Sequence, residues 1–200
     1  MSKGKLIIVS APSGSGKSTI LSYILSRPEL NAHFSISATS RLPRGAEQNG
    51  REYWFLTTEE FEQKIAQGAF LEYEEVYPGT YYGTLRSEVE GQREAGKNVF
   101  LDIDVKGGTR LKEAYGDDAL FLFIQPPSIE VLRERLTKRG TETEEKIRLR
   151  LARASEELAY APKADRVIIN DDLASARKEC LDIIKNYLVN GRSERSEAEL

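Results

Sequence analysis

Residues 11–19 read Ala-Pro-Ser-Gly-Ser-Gly-Lys-Ser-Thr and follow directly on the apolar run Leu6-Ile7-Ile8-Val9. This order predicts a buried strand, a loop of small residues, and a helix opening at Gly-Lys-Ser-Thr. In such a loop (Ala11, Pro12, Ser13, Gly14, Ser15, Gly16) consecutive backbone N–H groups can turn inward around phosphate oxygens. The helix behind it aims its positive end at the same anion. Lys17 can reach the outer phosphates of a nucleoside triphosphate, Ser18 can hold Mg²⁺, and Thr19 completes the turn. The general pattern begins with glycine; here the first position is Ala11, while the inward-turning part keeps Gly14 and Gly16.

The other strand candidates are 98–103, 119–124 and 166–170, short and rich in Val, Ile, Phe and Leu, as buried parallel strands are. Helices are expected over 17–26, 128–138, 143–160 and 173–188, the third opening on Glu144 and Glu145, which favours its positive end. Alternating strands and helices predict an α/β fold, a parallel sheet covered on both faces. Residues 34–90 break the alternation. Strands are expected over 34–37, 52–56, 70–73 and 80–82, with a turn at Pro78-Gly79. Thr57 and Glu60 make a capping box for a helix over 58–67. This segment reads as a small β-rich insertion into a core formed by 1–33 and 91–200, and the polar tail 190–200 is expected to fray.

The 200 residues carry a net charge of −3, with 40% hydrophobic and 30% charged side chains. No stretch approaches the roughly 20 apolar residues of a membrane span, and the first strand starts too early to leave room for a signal peptide. The single Cys180 excludes an internal disulfide and fits a reducing cytoplasm. His33 has no second His and no partner Cys for a zinc site. General nucleic-acid binders are usually basic, so an acidic chain that handles phosphate must concentrate its arginines locally. It does so twice. Arg41-Leu42-Pro43-Arg44 sets two guanidiniums around a stiffening proline, suited to a dianionic phosphate. The segment 133–150 is the second concentration; its simple reading is a charged helix pair with partners such as Glu144 and Arg148.

The order of motifs closely resembles guanylate kinase. It runs from the phosphate loop through Ser37-Ala-Thr-Ser-Arg41-Leu-Pro-Arg44, Asn49-Gly-Arg-Glu-Tyr53, Phe70-Leu-Glu72 and Tyr81-Tyr82-Gly-Thr84. It continues through Leu101-Asp102-Ile-Asp104, Pro126-Pro-Ser128, Arg139-Gly-Thr-Glu142 and Ile169-Asn170-Asp-Asp172, covering about residues 5–188. The resemblance implies a P-loop NTPase fold in three layers, a GMP-binding insertion, and a helical lid over about 128–160. It implies transfer of the γ-phosphoryl group from ATP to GMP, with Mg²⁺, returning GMP to the GTP and dGTP supply.

By the same resemblance Arg41 and Arg44, with the hydroxyls of Tyr53 and Tyr82, hold the GMP phosphate. Glu72 reads guanine: its two acceptor oxygens match the N1–H and N2–H₂ donors, and adenine presents an acceptor there instead. Ser37, Thr84 and Asp104 match the other base-contacting positions. Asp102, at a strand end, orients Mg²⁺ with Ser18, and Asp104 would point the same way if the strand continued. Arg135, Arg139 and Arg150 close over the ATP phosphates from the lid, and Asn170 lies near adenine. Where the family has Arg-x-Gly-Glu this chain has Arg44-Gly45-Ala46-Glu47, with glycine one place early, and Lys106 stands where a glutamine is common. Two other readings stay open at this point: a kinase for AMP, UMP or dTMP, and a non-catalytic module of guanylate-kinase shape, which would have lost the phosphate loop.

Overall fold

The computed structural model describes residues 2–138, 140 and 143–191. Five strands, β1 (Leu6–Ser10), β2 (Ala32–Phe34), β7 (Asn98–Asp102), β8 (Ala119–Gln125) and β9 (Arg166–Ile169), form a parallel sheet in the order β2-β7-β1-β8-β9. Successive side chains of a strand face opposite ways, so the sheet builds two cores. Ile7, Val9, Phe100, Leu120 and Leu122 pack beneath α1 (Lys17–Leu25) and α7 (Leu173–Asn190), where Cys180 is buried. Leu6, Ile8, Val99, Leu101 and Phe121 pack beneath α3 (Arg86–Glu94) and α4 (Val105–Tyr115). These layers match the α/β expectation.

The second sheet, in the order β4-β3-β6-β5, comes from β3 (Ala38–Thr39), β4 (Trp54–Phe55), β5 (Phe70–Tyr77) and β6 (Thr80–Leu85). Helix α2 (Thr58–Ala66) starts at the expected capping box, with reciprocal Thr57 and Glu60 bonds. Phe61 stacks on Phe70 at 4.3 Å and on Tyr81 at 5.2 Å, so this sheet has a small core of its own. Helices α5 (Ile129–Lys138) and α6 (Glu144–Leu158) have another, around Leu132, Leu136 and Ile147. Thr143 caps α6, Glu144 and Glu145 occupy its first turn, and Glu144 is taken by Arg133 of α5 rather than by Arg148.

Three local expectations change. The strand expected over 34–37 is Ala32–Phe34 of the core sheet, and the polar residues after it carry the chain out to the second sheet. It is a half-exposed edge strand and lacks the apolar run that marked its neighbours. Helices α3 and α4 went unread because Gly91, Gly107 and Gly108 interrupt their patterns. Strand β7 stops at Asp102, so Asp104 does not continue it: its side chain caps α4, accepting from the N–H groups of Lys106 (2.8 Å) and Gly107 (3.0 Å). Glu88 of α3 ties the outgoing and returning chain together, binding His33 Nε2 at 2.6 Å and the Ser35 hydroxyl.

Because the second sheet is held by its own few aromatic residues, Phe61→Ala is expected to cost about 3–5 kcal/mol of local stability. Native-state hydrogen exchange will then accelerate in β5 and β6 and leave β1 and β8 protected. Equal acceleration everywhere would mean one cooperative unit.

Candidate active site

Strand β1 delivers the loop 11–16 to the C-terminal edge of the core sheet, where α1 begins. Gly14 and Gly16 hold φ of +98° and +89°, a region L side chains rarely adopt, so glycine is required for the inward turn. A methyl group on Gly16 would also lie 2.3 Å from Asn170 Nδ2. Asn170 is 4% exposed and sits behind the loop: its Nδ2–H donates to Ser15 O at 2.7 Å, and its backbone carbonyl accepts from Arg135 Nη2 at 2.8 Å. The Lys17 ammonium is bonded to the Asp102 carboxylate at the end of β7, and Arg150 of α6 reaches Ser13 Oγ. Arg139 lies outside the described residues.

A cleft of about 750 Å³ spreads from this loop. It is lined by Lys17, Ser18, Asp102 and Asp104, by Arg150 and Arg153 of α6, and by Tyr77 at the end of β5. So the phosphate loop, the arginine-rich helix and the second sheet share one cavity.

Antiparallel pairing in the second sheet brings the remaining residues together. Glu72 on β5 stands opposite Thr84 on β6, and Glu74 opposite Tyr82. Tyr82 and Thr84 share a face, roughly 7 Å apart along the strand. At one end Thr84 Oγ1 donates to Glu72 Oε1 at 2.5 Å. At the other, Arg41 donates from Nε to the Tyr82 oxygen at 3.0 Å and spreads over the Tyr53 ring at 4.9 Å. Tyr53 meets Tyr82 edge-on at 5.9 Å. Arg44 is exposed beside them, and Ser37 pairs through its carbonyl with the Trp54 N–H.

Glu72 is 8% exposed, and burial pushes its carboxyl up to about 7; the Thr84 hydroxyl opposes this, and the Asp104 charge adds to it. A methyl group on Gly107 would meet Glu72 Oε2 at 3.2 Å and Asp104 Oδ2 at 3.3 Å, so the two carboxylates flank the same turn of α4. Glu74, two residues along β5, is raised by burial and by the neighbouring Asp104, against the pull of Arg153 and Lys106. Neither Glu74 nor Arg153 was singled out from the sequence. The signals were there: Glu74 repeats Glu72 at the strand period, and Arg153 repeats Arg150 at the helix period.

Among the described residues no group of three or more His, Cys, Asp or Glu could hold a metal by itself. Ser18 and Asp102, which both line the cleft at the loop, offer the hard oxygen atoms that suit a magnesium ion. Among the described residues no helix is long and apolar enough to cross a membrane.

A family model described as guanylate kinase matches residues 3–187. A guanylate kinase of Bacteroides thetaiotaomicron is 59% identical over 185 residues, covering 92% of this chain and 90% of the relative. One from Porphyromonas gingivalis is 54% identical over 184 residues, covering 92% and 98%. The crystal structure of guanylate kinase from Anaplasma phagocytophilum superposes with a TM-score of 0.72 at 27% identity, covering 96% of this chain and 90% of that one.

The raised carboxyl of Glu72 is a measurable instability. Folding favours its proton, so the stability it confers is complete below about 4.5 and is lost as the pH rises through about 7. Glu72→Gln removes that loss. The variant is expected to exceed the wild type by on the order of 1–3 kcal/mol at pH 8 and to match it near pH 4.5, measured by thermal denaturation at both values.

Proposed function

The chain belongs to the guanylate kinase family, and we propose that it moves the γ-phosphoryl group of ATP to GMP, giving ADP and GDP, with the residues just described in the following roles. The observation that carries this is the shared cleft, lined together by the phosphate loop with Lys17, by Asp104, and by Tyr77 of the second sheet.

Loop 11–16 and Thr19 hold the ATP phosphates through backbone N–H groups, propped from behind by Asn170. Lys17 exchanges Asp102 for the outer phosphates. Ser18 and Asp102 would hold Mg²⁺, which when bound neutralises charge on those phosphates. Arg135, Arg150 and Arg139 bring further positive charge from the lid. Arg41, Arg44, Tyr53 and Tyr82 take the GMP phosphate, while Glu72, supported by Thr84, accepts from guanine N1–H and N2–H₂ beside Asp104 and Ser37. An oxygen of the GMP phosphate attacks Pγ. The bond from Pγ to the bridging oxygen breaks, and ADP leaves with the electron pair. That nucleophile has a second pKa near 6, so it is largely ionised at neutral pH and needs no general base. Closure of the insertion and lid aligns the two phosphates and excludes water, which suppresses hydrolysis of ATP.

The two other readings fare worse. A non-catalytic module has no use for Lys17, Ser18 and Arg150 around one cavity. A buried acceptor-only carboxylate confronts adenine with repulsion.

ADP formation from ATP and Mg²⁺ across all nucleoside monophosphates is the direct test, with dGMP included. GMP should exceed AMP, UMP and dTMP by on the order of 10⁴; ADP release indifferent to GMP would sink the proposal. Lys17→Met is expected to lower kcat by about 10²-fold or more, and survival within a few fold contradicts the role of the lysine. Since guanine needs Glu72 ionised, guanosine affinity should fall as the pH drops below about 7 in the wild type and stay flat in Glu72→Gln. Guanosine has no phosphate, which isolates the carboxyl; parallel curves for the two proteins would remove Glu72 from base reading.

A further inference from the structure

Glu47 follows Arg44 in a tight turn whose glycine is displaced from the usual family order. The turn is nevertheless well formed. The Glu47 N–H donates to Arg44 O at 3.1 Å, and the Glu47 carboxylate accepts the Arg44 N–H at 2.8 Å, so the turn is bonded at both ends. Gly45 takes φ of +56°, whereas Ala46 is not among the residues of positive φ. That sign pattern belongs to a type II′ turn, which wants glycine at its first central position. The displaced glycine therefore sets a different turn and still delivers Glu47 to Arg41.

Both Glu47 oxygens accept from Arg41: Nη1–H to Oε2 at 2.7 Å and Nη2–H to Oε1 at 2.8 Å. The second Nη1–H goes to Leu42 O at 3.0 Å, and Nε–H to the Tyr82 oxygen at 3.0 Å. Four of the five guanidinium N–H groups are thus used. The planar fork decides where the fifth lies. Glu47 takes the end-on edge, so the remaining Nη2–H is on the side edge with Nε, next to the Tyr82 oxygen. Tyr82 accepts there, which leaves its own O–H to donate. One anionic oxygen can therefore receive both an Arg41 N–H and the Tyr82 O–H.

We propose that Glu47 is a positioning residue for the acceptor phosphate: it holds the end-on edge of Arg41 and turns the side edge, with Tyr82, toward that phosphate. This deepens the reading of Arg41 and Tyr82 as the clamp for the GMP phosphate and rests on it. Arg41 in turn keeps Glu47 ionised, holding its carboxyl down at about 2. The rival arrangement is that Glu47 is a competitor, occupying the fork that the phosphate must seize. The donor count argues against it, because one side-edge N–H of Arg41, the Tyr82 O–H and the exposed Arg44 are left for the ligand.

The test compares Glu47→Gln with the wild type in steady-state kinetics and in calorimetric binding of GMP and guanosine. The variant is expected to raise the KM for GMP by about tenfold or more, with kcat within a few fold and the KM for ATP unchanged. Guanosine, which lacks the phosphate, should bind both proteins alike. Gly45→Ala, which strains the turn, should move the same parameter in the same direction. A KM for GMP that falls or stays put makes Glu47 a competitor or a bystander and overturns the proposal. So does parallel weakening of guanosine or ATP, which would mark a merely structural residue. The underlying reading fails separately: a wild-type protein that binds GMP no better than guanosine has no phosphate clamp at all.

Discussion

All five strands of the core sheet run the same way, so all of them end at one edge, and the chemistry depends on that edge. Strand β1 ends there in the phosphate loop, β7 in Asp102, and β9 just before Asn170. Three segments far apart in the chain thereby supply the anion cradle, the carboxylate bonded to its lysine, and the prop behind it. Parallel strands need crossover connections, and these place α1 with its positive end at the loop. Ligand sites of open α/β sheets form at this edge for the same reason.

A protein that handles two polyanions carries carboxylates both in its cleft, at Asp102 and Asp104, and on the second sheet and its turn, at Glu72 and Glu47. Each has a distinct relation to a donor. Asp102 holds Lys17, Asp104 caps α4, Glu47 grips Arg41, and Glu72 is bonded by Thr84. Glu72 is the outlier, buried with its carboxyl raised to about 7; its hydrogen bond comes from a hydroxyl, it has no ion-pair partner among the described residues, and Arg110 opposes the shift only through its field. A buried charge without a partner is costly, and sites that bind ligands commonly carry such costs. A purine edge offering two N–H donors is a partner of the right polarity.

The small separate cores bear on motion. The second sheet rests on Phe61, Phe70 and a few neighbours, and the α5–α6 pair on Leu132, Leu136 and Ile147. Both contribute to the cleft, which is lined largely by polar side chains such as Asp104, Arg150 and Arg153, and their apolar contacts with the core are few, among them Leu71 from β5 and Leu132 and Leu136 beside Gly14. Elements with little apolar surface shared with the main core can shift at low cost. The Glu88 tie to His33 and Ser35 fastens the chain that leads out to the second sheet to the helix that follows that sheet.

Much of this was legible in the residues. The phosphate loop, three of the core strands after Ile7 and Val9, the capping box at Thr57 and the arginine pair each announce themselves through local spacing, because strand period, cap chemistry and loop glycines are properties of a few adjacent residues. What escaped was whatever depends on distant partners. Strand β2 is defined by pairing with β7, not by its own three residues. Asp104 looked like a strand residue until α4 gave it two N–H groups to cap. The raised carboxyl of Glu72 and the grip of Glu47 on Arg41 exist only where burial and neighbours from other segments fix the local field. Sequence alone determined which chemical groups were available and which short elements would carry them. Tertiary structure decided which groups meet, because desolvation and hydrogen bonding act over a few ångströms of space regardless of separation along the chain.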